Sequence, residues 1–272
     1  MQRIELALRG GLGNQLFQVA GGIHYAKKFN SALFVDDSAL RKHPDPARQN
    51  WIKKIHLNDF FSTDVKIDFR KIYFPQPIED FRLSRCSSFS EEQIIQASGL
   101  APKMRISGYF QNSRYIRIAD LQNVADLKKP SLNSVSNDYA AIHIRLGDFL
   151  AHDWALPMAY YEEAIVVMLE YRCTQIHVYS DSLTFVQQFL KDKFPTVRFE
   201  FPESENELNP LELLHRLSSY RRFISSNSSL AWWASVINIS KKDFLIHPEV
   251  WRGSLDIPTS VNLKFIRTAK TI

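Results

Sequence analysis

Cysteine is almost missing from this chain: there are 2 in 272 residues, Cys86 and Cys173, far apart and without metal-type spacing. That excludes a disulfide framework or a zinc knuckle, and both residues read as small buried hydrophobes. No apolar run approaches the roughly 20 residues of a membrane helix. The opening MQRIELALRGG carries only a short apolar-leaning stretch before its glycines, so neither a signal peptide nor an anchor is expected, and a cytoplasmic location is. The Asn-x-Ser sequences at Asn227 and Asn238 then have no route to glycosylation. No Asp-x-Asp pair occurs, no two of the 8 histidines stand four apart, and no Gly-x-Ser-x-Gly turn is present. These absences count against metal-dependent sugar transfer, zinc hydrolysis and serine hydrolysis, and no metal cofactor is expected. A basic stripe is lacking too, since Lys27-Lys28, Lys53-Lys54 and Arg221-Arg222 are only pairs, which argues against a nucleic-acid partner. The mild excess of 34 Lys and Arg over 29 Asp and Glu, net +5, suits an anionic ligand or peripheral contact with an anionic inner membrane face.

Glycine is also scarce, 9 in all, yet five of them fall between positions 10 and 22. There RIELAL reads as a strand running into Gly10, Gly11, Leu12, Gly13, Asn14 and Gln15, and then into the helical pattern LFQVAGGIHYAKKF. A turn of this kind either adopts positive φ or receives something close to its backbone, and it exposes helix N-terminal amides that bind anions. The alternative is a helix-packing turn with no ligand. A dinucleotide fingerprint is not met, because Asn14, Gln15 and Leu16 stand where a third glycine or alanine belongs, and there is no P-loop lysine. ALFVD at 32 to 36 reads as a second strand, which makes a βαβ start and argues for a parallel sheet.

Between 41 and 105 the pattern is irregular, with prolines at 44, 46, 75, 77 and 102, and short helices and loops are expected. RISGYFQNSRYIR, 105 to 117, opens as a strand and continues into a helix from near Ser113. The polar stretch 123 to 138 reads as a linker, dividing the chain into domains 1–130 and 131–272. The second half then alternates regularly: strand 139 to 145, helix 157 to 169, strand 175 to 182, helix 183 to 193, strand 197 to 201, helix 211 to 219, RFISS as a last core strand, and helix LAWWASVI. Glu203, Glu205 and Glu207 read as a solvated loop rather than metal ligands. Strands ending near 145, 181 and 226 all terminate in polar residues, and in a parallel sheet those ends converge on one edge, where open α/β sheets bind ligands. Arg145 and Asp148 in YAAIHIRLGDF are either a simple surface pair or part of a site that stabilises a departing phosphate without a metal, through a guanidinium and fixed N–H donors.

Taken together, GGLGNQLFQVA (10 to 20), GYFQNSRYI (108 to 116), HIRLGDF (143 to 149), VYSDS (178 to 182) and SSNSSLAWWASVI (225 to 237) resemble, in order, the motifs of the bacterial α1,2-fucosyltransferases, family eleven of the glycosyltransferases. The resemblance implies an α/β fold of GT-B type, two Rossmann-like domains with parallel sheets facing across a cleft, the N-terminal one (1–130) on the acceptor side and the C-terminal one (131–272) holding GDP-fucose. It implies inverting, metal-independent transfer to the 2-hydroxyl of a galactose-like residue on a surface glycan or lipid-linked oligosaccharide. By the same resemblance Arg145 contacts the β-phosphate and Asp148 orients its loop. His143, Asp181 and Ser182 help to hold the nucleotide, and Asn227, Ser228 and Ser229 lie at a helix N-terminus near the diphosphate. Gly11, Gly13, Asn14 and Gln15 line the opposing wall. Asp36, Asp37 and Asp148 are the candidates for a general base. Two positions depart from the family: Leu146 stands for the second arginine of HxRRxD, and Ser182 for the second aspartate of Ser-Asp-Asp. A non-enzymatic nucleotide-binding module, or transfer of another sugar, is the alternative.

Overall fold

The computed structural model describes residues 3–41, 43–72, 103–106, 108–111, 115–116, 139–202, 208–237, 242–248 and 266–269. These fall into two compact units, one within Met1–Val124 and one within Ala125–Arg252 and Ile257–Ile272. The boundary expected at 130 with its linker, Cys86, the helix start at Ser113 and the Glu203, Glu205 and Glu207 loop lie outside the described residues.

The first unit is built on a parallel sheet of β1 (Arg3–Ala7), β2 (Leu33–Asp36), β3 (Ile67–Phe69) and β4 (Lys103–Ile106), in the order β3-β2-β1-β4. The register places Leu6 opposite both Val35 and Ile106, so β1 is central and its Ile4 and Leu6 are fully buried. Helix α1 (Leu12–Lys28) connects β1 to β2 and is buried around most of its circumference, from Leu12 through Leu16, Phe17 and Val19 to Ala26. Each such large side chain contributes about 1.5–3 kcal/mol of burial. Two of the clustered glycines have separate reasons. Gly10 turns the chain at φ +75°, and a Cβ on Gly21 would lie 2.5 Å from Cγ of Phe110. After β2 come single turns at Pro46–Arg48 and Ile52–Lys54, then α2 (Leu57–Phe61). Strand β3 was not expected in this irregular stretch. It forms because Leu33 to Val35 pair with Ile67 to Phe69, and the alternation of Val65, Ile67 and Phe69 with Lys66, Asp68 and Arg70 is the period-two signal of a strand.

The second unit carries six parallel strands in the order β10-β9-β8-β5-β6-β7: β5 (Ala140–Ile144), β6 (Gln175–Ser180), β7 (Arg198–Glu200), β8 (Arg222–Ile224), β9 (Phe244–Pro248) and β10 (Ile266–Ala269). RFISS is therefore not the last strand. β9 is a wholly buried FLIHP run whose uniform burial hides the period-two signal, as in any strand covered on both faces. Between the strands lie α3 (Gly147–Ala151), α4 (Met158–Glu170), α5 (Leu183–Lys193), α6 (Pro210–Ser219) and α7 (Ser229–Val236). Ala140, Ile142, Ile144, Ile176, Val178, Ile224 and Ile246 pack with Tyr160, Tyr161, Ile165 and Met168 of α4 and with Val186 and Leu190 of α5. The alternate residues turn the other way, where Tyr179 and His177 meet Tyr220 at the end of α6. Asn209 opens α6 with a reciprocal capping box to Glu212. Buried Lys242 closes it by donating to the carbonyls of Leu217, Ser218 and Tyr220, and burial pulls its ammonium pKa down to about 7.

Both sheets reverse direction at their centre. The chain runs outward from β1 through β2 to β3 and returns to β4 on the other side of β1. It likewise runs from β5 to β7 and returns to β8 on the other side of β5. The carboxyl ends of β1 and β4, and of β5 and β8, are the crevices where such sheets take ligands.

Candidate functional site

The second crevice carries the charge. Strand β5 is buried throughout, and its alternation continues past its end. Leu146 follows Ala140, Ile142 and Ile144 into the core at 3% exposure, beside Leu156 and Tyr160. The position where the family has a second arginine is thus a core position in this chain. Arg145, on the opposite parity, leaves the sheet with its side chain 27% exposed. Two carboxylates fix it: Nη2 meets Asp148 Oδ1 at 2.9 Å and Nε meets Asp181 Oδ2 at 3.1 Å. Asp181 also accepts the Leu146 N–H on its other oxygen at 2.9 Å, and its side chain is 7% exposed. Both of its oxygens are engaged in holding the Arg145 loop. The approach is close enough that a Cβ on Gly147 would collide with Asp181 Oδ2, so any side chain at this position must displace the Asp181 carboxylate. Composition hinted at this, since Gly147 is one of only four glycines outside the N-terminal cluster.

His143 is fully buried and lies beneath the crevice. Its Nδ1 is 2.6 Å from Ser226 Oγ, which in turn accepts the Ser228 N–H at 3.2 Å. Ser228 is the N-cap of α7 but its side chain makes no capping bond, and Ser229 opens the helix. The β5 histidine therefore sets the chain entering α7, across the line where the sheet reverses. Asn227 donates through Nδ2 to the Trp154 carbonyl at 2.7 Å. Ser182 heads α5, and its N–H donates to Ser180 Oγ at 3.1 Å. The structure brings Arg145, Asp148 and Asp181 together, and joins His143 to the Ser228 turn through Ser226, a residue the motif reading passed over. It also missed Trp154.

The first unit holds the other motif residues. Gly11 is the N-cap of α1, and a Cβ there would meet the Ala47 carbonyl at 3.5 Å. Gly13 and Gln15 are buried. Gln15 Nε2 donates to the carbonyls of Gly10 and Gln49, both at 2.8 Å, and Gln18 clasps Arg9 by accepting its N–H at 2.9 Å and donating to its C=O at 3.2 Å. Asn14 Oδ1 accepts from Gln111 Nε2 at 2.8 Å, which ties the turn to the segment after β4. Of the base candidates, Asp36 accepts the Ser38 N–H at 2.9 Å. Asp37 is held by Arg41, Lys53 and Asn50, each at 2.7–2.8 Å. Burial pushes its carboxyl up, but these three donors outweigh it and hold the pKa at about 2. A carboxylate held so firmly makes a poor proton acceptor at neutral pH. Among the described residues no group of three His, Cys, Asp or Glu stands close enough to hold a metal ion.

No protein-family model matches the chain. It is 25% identical to an Escherichia coli α-1,2-colitosyltransferase, over 92% of this chain and 93% of that one. It is 23% identical to the E. coli O-antigen biosynthesis glycosyltransferase WbnK, over 94% and 99%. Among solved structures, NodZ α-1,6-fucosyltransferase soaked with GDP-fucose superimposes with a TM-score of 0.54 at 15% identity, covering 92% of this chain and 95% of that one. With its two parallel sheets the fold is α/β of GT-B type, and along nearly its whole length the chain resembles the α1,2-fucosyltransferase-like glycosyltransferases.

Proposed function

We propose that the protein is a glycosyltransferase that moves a 6-deoxy-L-galactose-type sugar, fucose in our reading, from a GDP-linked donor to the 2-hydroxyl of a galactose-like residue. The acceptor is an O-antigen or lipid-linked oligosaccharide, the transfer inverts the anomeric centre, and no metal takes part. The observation that carries this reading is Arg145, partly exposed at the reversal point of the second sheet and fixed by Asp148 and Asp181. As the bond from the sugar C1 to the β-phosphate oxygen breaks, negative charge grows on the departing GDP. A preorganised guanidinium, with the amides that open α7, can offset that charge where a metal would otherwise be needed. The acceptor oxygen attacks C1 from the opposite face and its proton leaves to a base. Asp37, engaged by three donors, is set aside for that role. The names of the two E. coli relatives support sugar transfer and an O-antigen acceptor. The net charge of +5 suits work on the cytoplasmic membrane face, and no helix among the described residues is long and apolar enough to cross a membrane.

The test is to incubate the protein with GDP-fucose and a panel of β-galactosides in the presence of a chelator. Release of GDP and an α1,2-linked product are expected. No GDP release across the panel, with no GDP binding by calorimetry, rejects the reading. The colitosyltransferase relative favours a second donor, because colitose is fucose without its 3-hydroxyl. A pocket that hydrogen-bonds this hydroxyl would reject the deoxy sugar by about 10⁴-fold, whereas an apolar pocket would discriminate only about 10–200-fold. Comparing kcat/KM for GDP-fucose and GDP-colitose separates the two.

A further inference from the structure

Trp154 stands beside the arginine site, and none of the roles discussed so far uses it. It follows the short helix α3 and is 38% exposed, and Leu150 within that helix is 63% exposed. Exposed apolar side chains grouped at one place mark a contact surface more often than scattered ones do. Its position is nonetheless tightly set. Its N–H donates to the Phe149 carbonyl at 2.8 Å, and its own carbonyl accepts from Asn227. The His152 ring lies against the indole at 4.8 Å, tilted by 32°, and Phe149 meets it edge-on at 5.8 Å. Phe149 also lies under the Arg145 guanidinium, 5.6 Å from ring centre to Cζ. The indole is thus one aromatic ring removed from the Arg145 guanidinium. Asn227 Oδ1 is buried and accepts no hydrogen bond among the described residues.

We propose that Trp154 is the platform on which the pyranose ring of the acceptor glycan stacks, shelved by His152 and held in place by Asn227. This rests on the transferase reading above. The location selects a sugar rather than the nucleobase, since both reacting pyranoses lie next to the β-phosphate while the base lies a further phosphate and a ribose away. It selects the acceptor over the donor sugar because the donor is already anchored through its diphosphate. A neutral acceptor has no charged handle and gains most from a fixed apolar face, whose ordering is already complete before binding.

Steady-state kinetics on Trp154→Ala and Trp154→Phe, with saturation-transfer NMR of a β-galactoside in the presence of GDP, tests this. For Trp154→Ala the acceptor KM is expected to rise at least tenfold and the NMR signal to be lost, with GDP affinity and donor KM within twofold of the parent. Trp154→Phe should restore most of the acceptor KM, and unchanged GDP affinity certifies that the variant folds. An unchanged acceptor KM and NMR signal, or a loss confined to the donor KM, overturns the inference while leaving the transferase reading intact. A parent protein that binds the galactoside at Trp154 yet never releases GDP rejects the transferase reading and keeps the platform.

Discussion

The two sheets reverse direction in the same way, yet their crevices are finished in opposite styles. At the β1 reversal the glycine turn is filled by its own chain: Gln15 and Gln18 are buried against the turn, and the Ala47 carbonyl lies over Gly11. At the β5 reversal Arg145 and Asp148 stay partly exposed, while His143, Ser226 and the Asp181 side chain are buried. The charge arithmetic is inverted too. In the first unit one carboxylate, Asp37, is gripped by two cations, while in the second one cation, Arg145, is steadied by two carboxylates. The glycine turn thus engages its polar side chains with its own backbone, whereas the strand end at Arg145 keeps a cation at the surface.

Replacing Arg145 with alanine should break this contrast most severely. Loss of one fixed donor to a developing oxyanion costs about 10²–10³ in kcat, and Arg145→Lys should recover little, because a point charge cannot serve both carboxylates in the planar geometry. Rates of GDP release measure both. Next comes Asp181. With its two oxygens on Leu146 N–H and Arg145 Nε, Asp181→Ala should lower kcat about tenfold or more by freeing the arginine. Gly147→Ala should reproduce much of that loss, since the added methyl displaces Asp181. A Gly147→Ala enzyme with full activity would mean that the Asp181 contact does not set the arginine.

Much of this was legible beforehand, and what was hidden has physical causes. The alternation of strand and helix from 139 to 237, the parallel sheets and the convergence of Arg145, Asp148 and Asp181 all follow from local pattern and strand-end polarity. β3, β9 and β10 escaped: β3 although Val65, Ile67 and Phe69 alternate with Lys66, Asp68 and Arg70, a short signal inside an otherwise irregular stretch, and β9 because a strand buried on both faces has no alternation. The role of Leu146 was hidden for a related reason. As a motif position it counted as a lost cation, but β5 parity carries it into the core. His143, expected to help hold the nucleotide, is fully buried and bonded to Ser226; a residue's parity on a strand is visible in sequence while the depth of that strand is not. Trp154 lay in a stretch with no motif, and only the rings of Phe149 and His152 around it identify the cluster.

The first crevice makes a prediction opposite in kind. Gln15→Leu keeps volume but leaves the Gly10 and Gln49 carbonyls without the donor they have now. That should cost about 1–3 kcal/mol of stability, read as a lower denaturant midpoint, with GDP affinity unchanged. A Gln15→Leu protein of full stability but weakened GDP binding would make the turn a ligand wall after all and erase the distinction between the crevices.

The smallest expected effect is the pH signature of Asp37. Its carboxyl is lowered from 3.8 to about 2 in the folded chain, so between those values the unfolded state binds more protons and stability rises with pH. The contribution is complete above about pH 4 and is lost as pH falls through about 2. Its size is about 1–2 kcal/mol, reduced because the partner cations Arg41 and Lys53 are 45% and 43% exposed and their field is screened by solvent. Asp37→Asn should remove that slope from the acid unfolding profile and leave the rate of sugar transfer at neutral pH unaltered. If transfer falls with Asp37→Asn while the acid slope persists, the gripped carboxylate of the first unit is a working group and only its cations are structural.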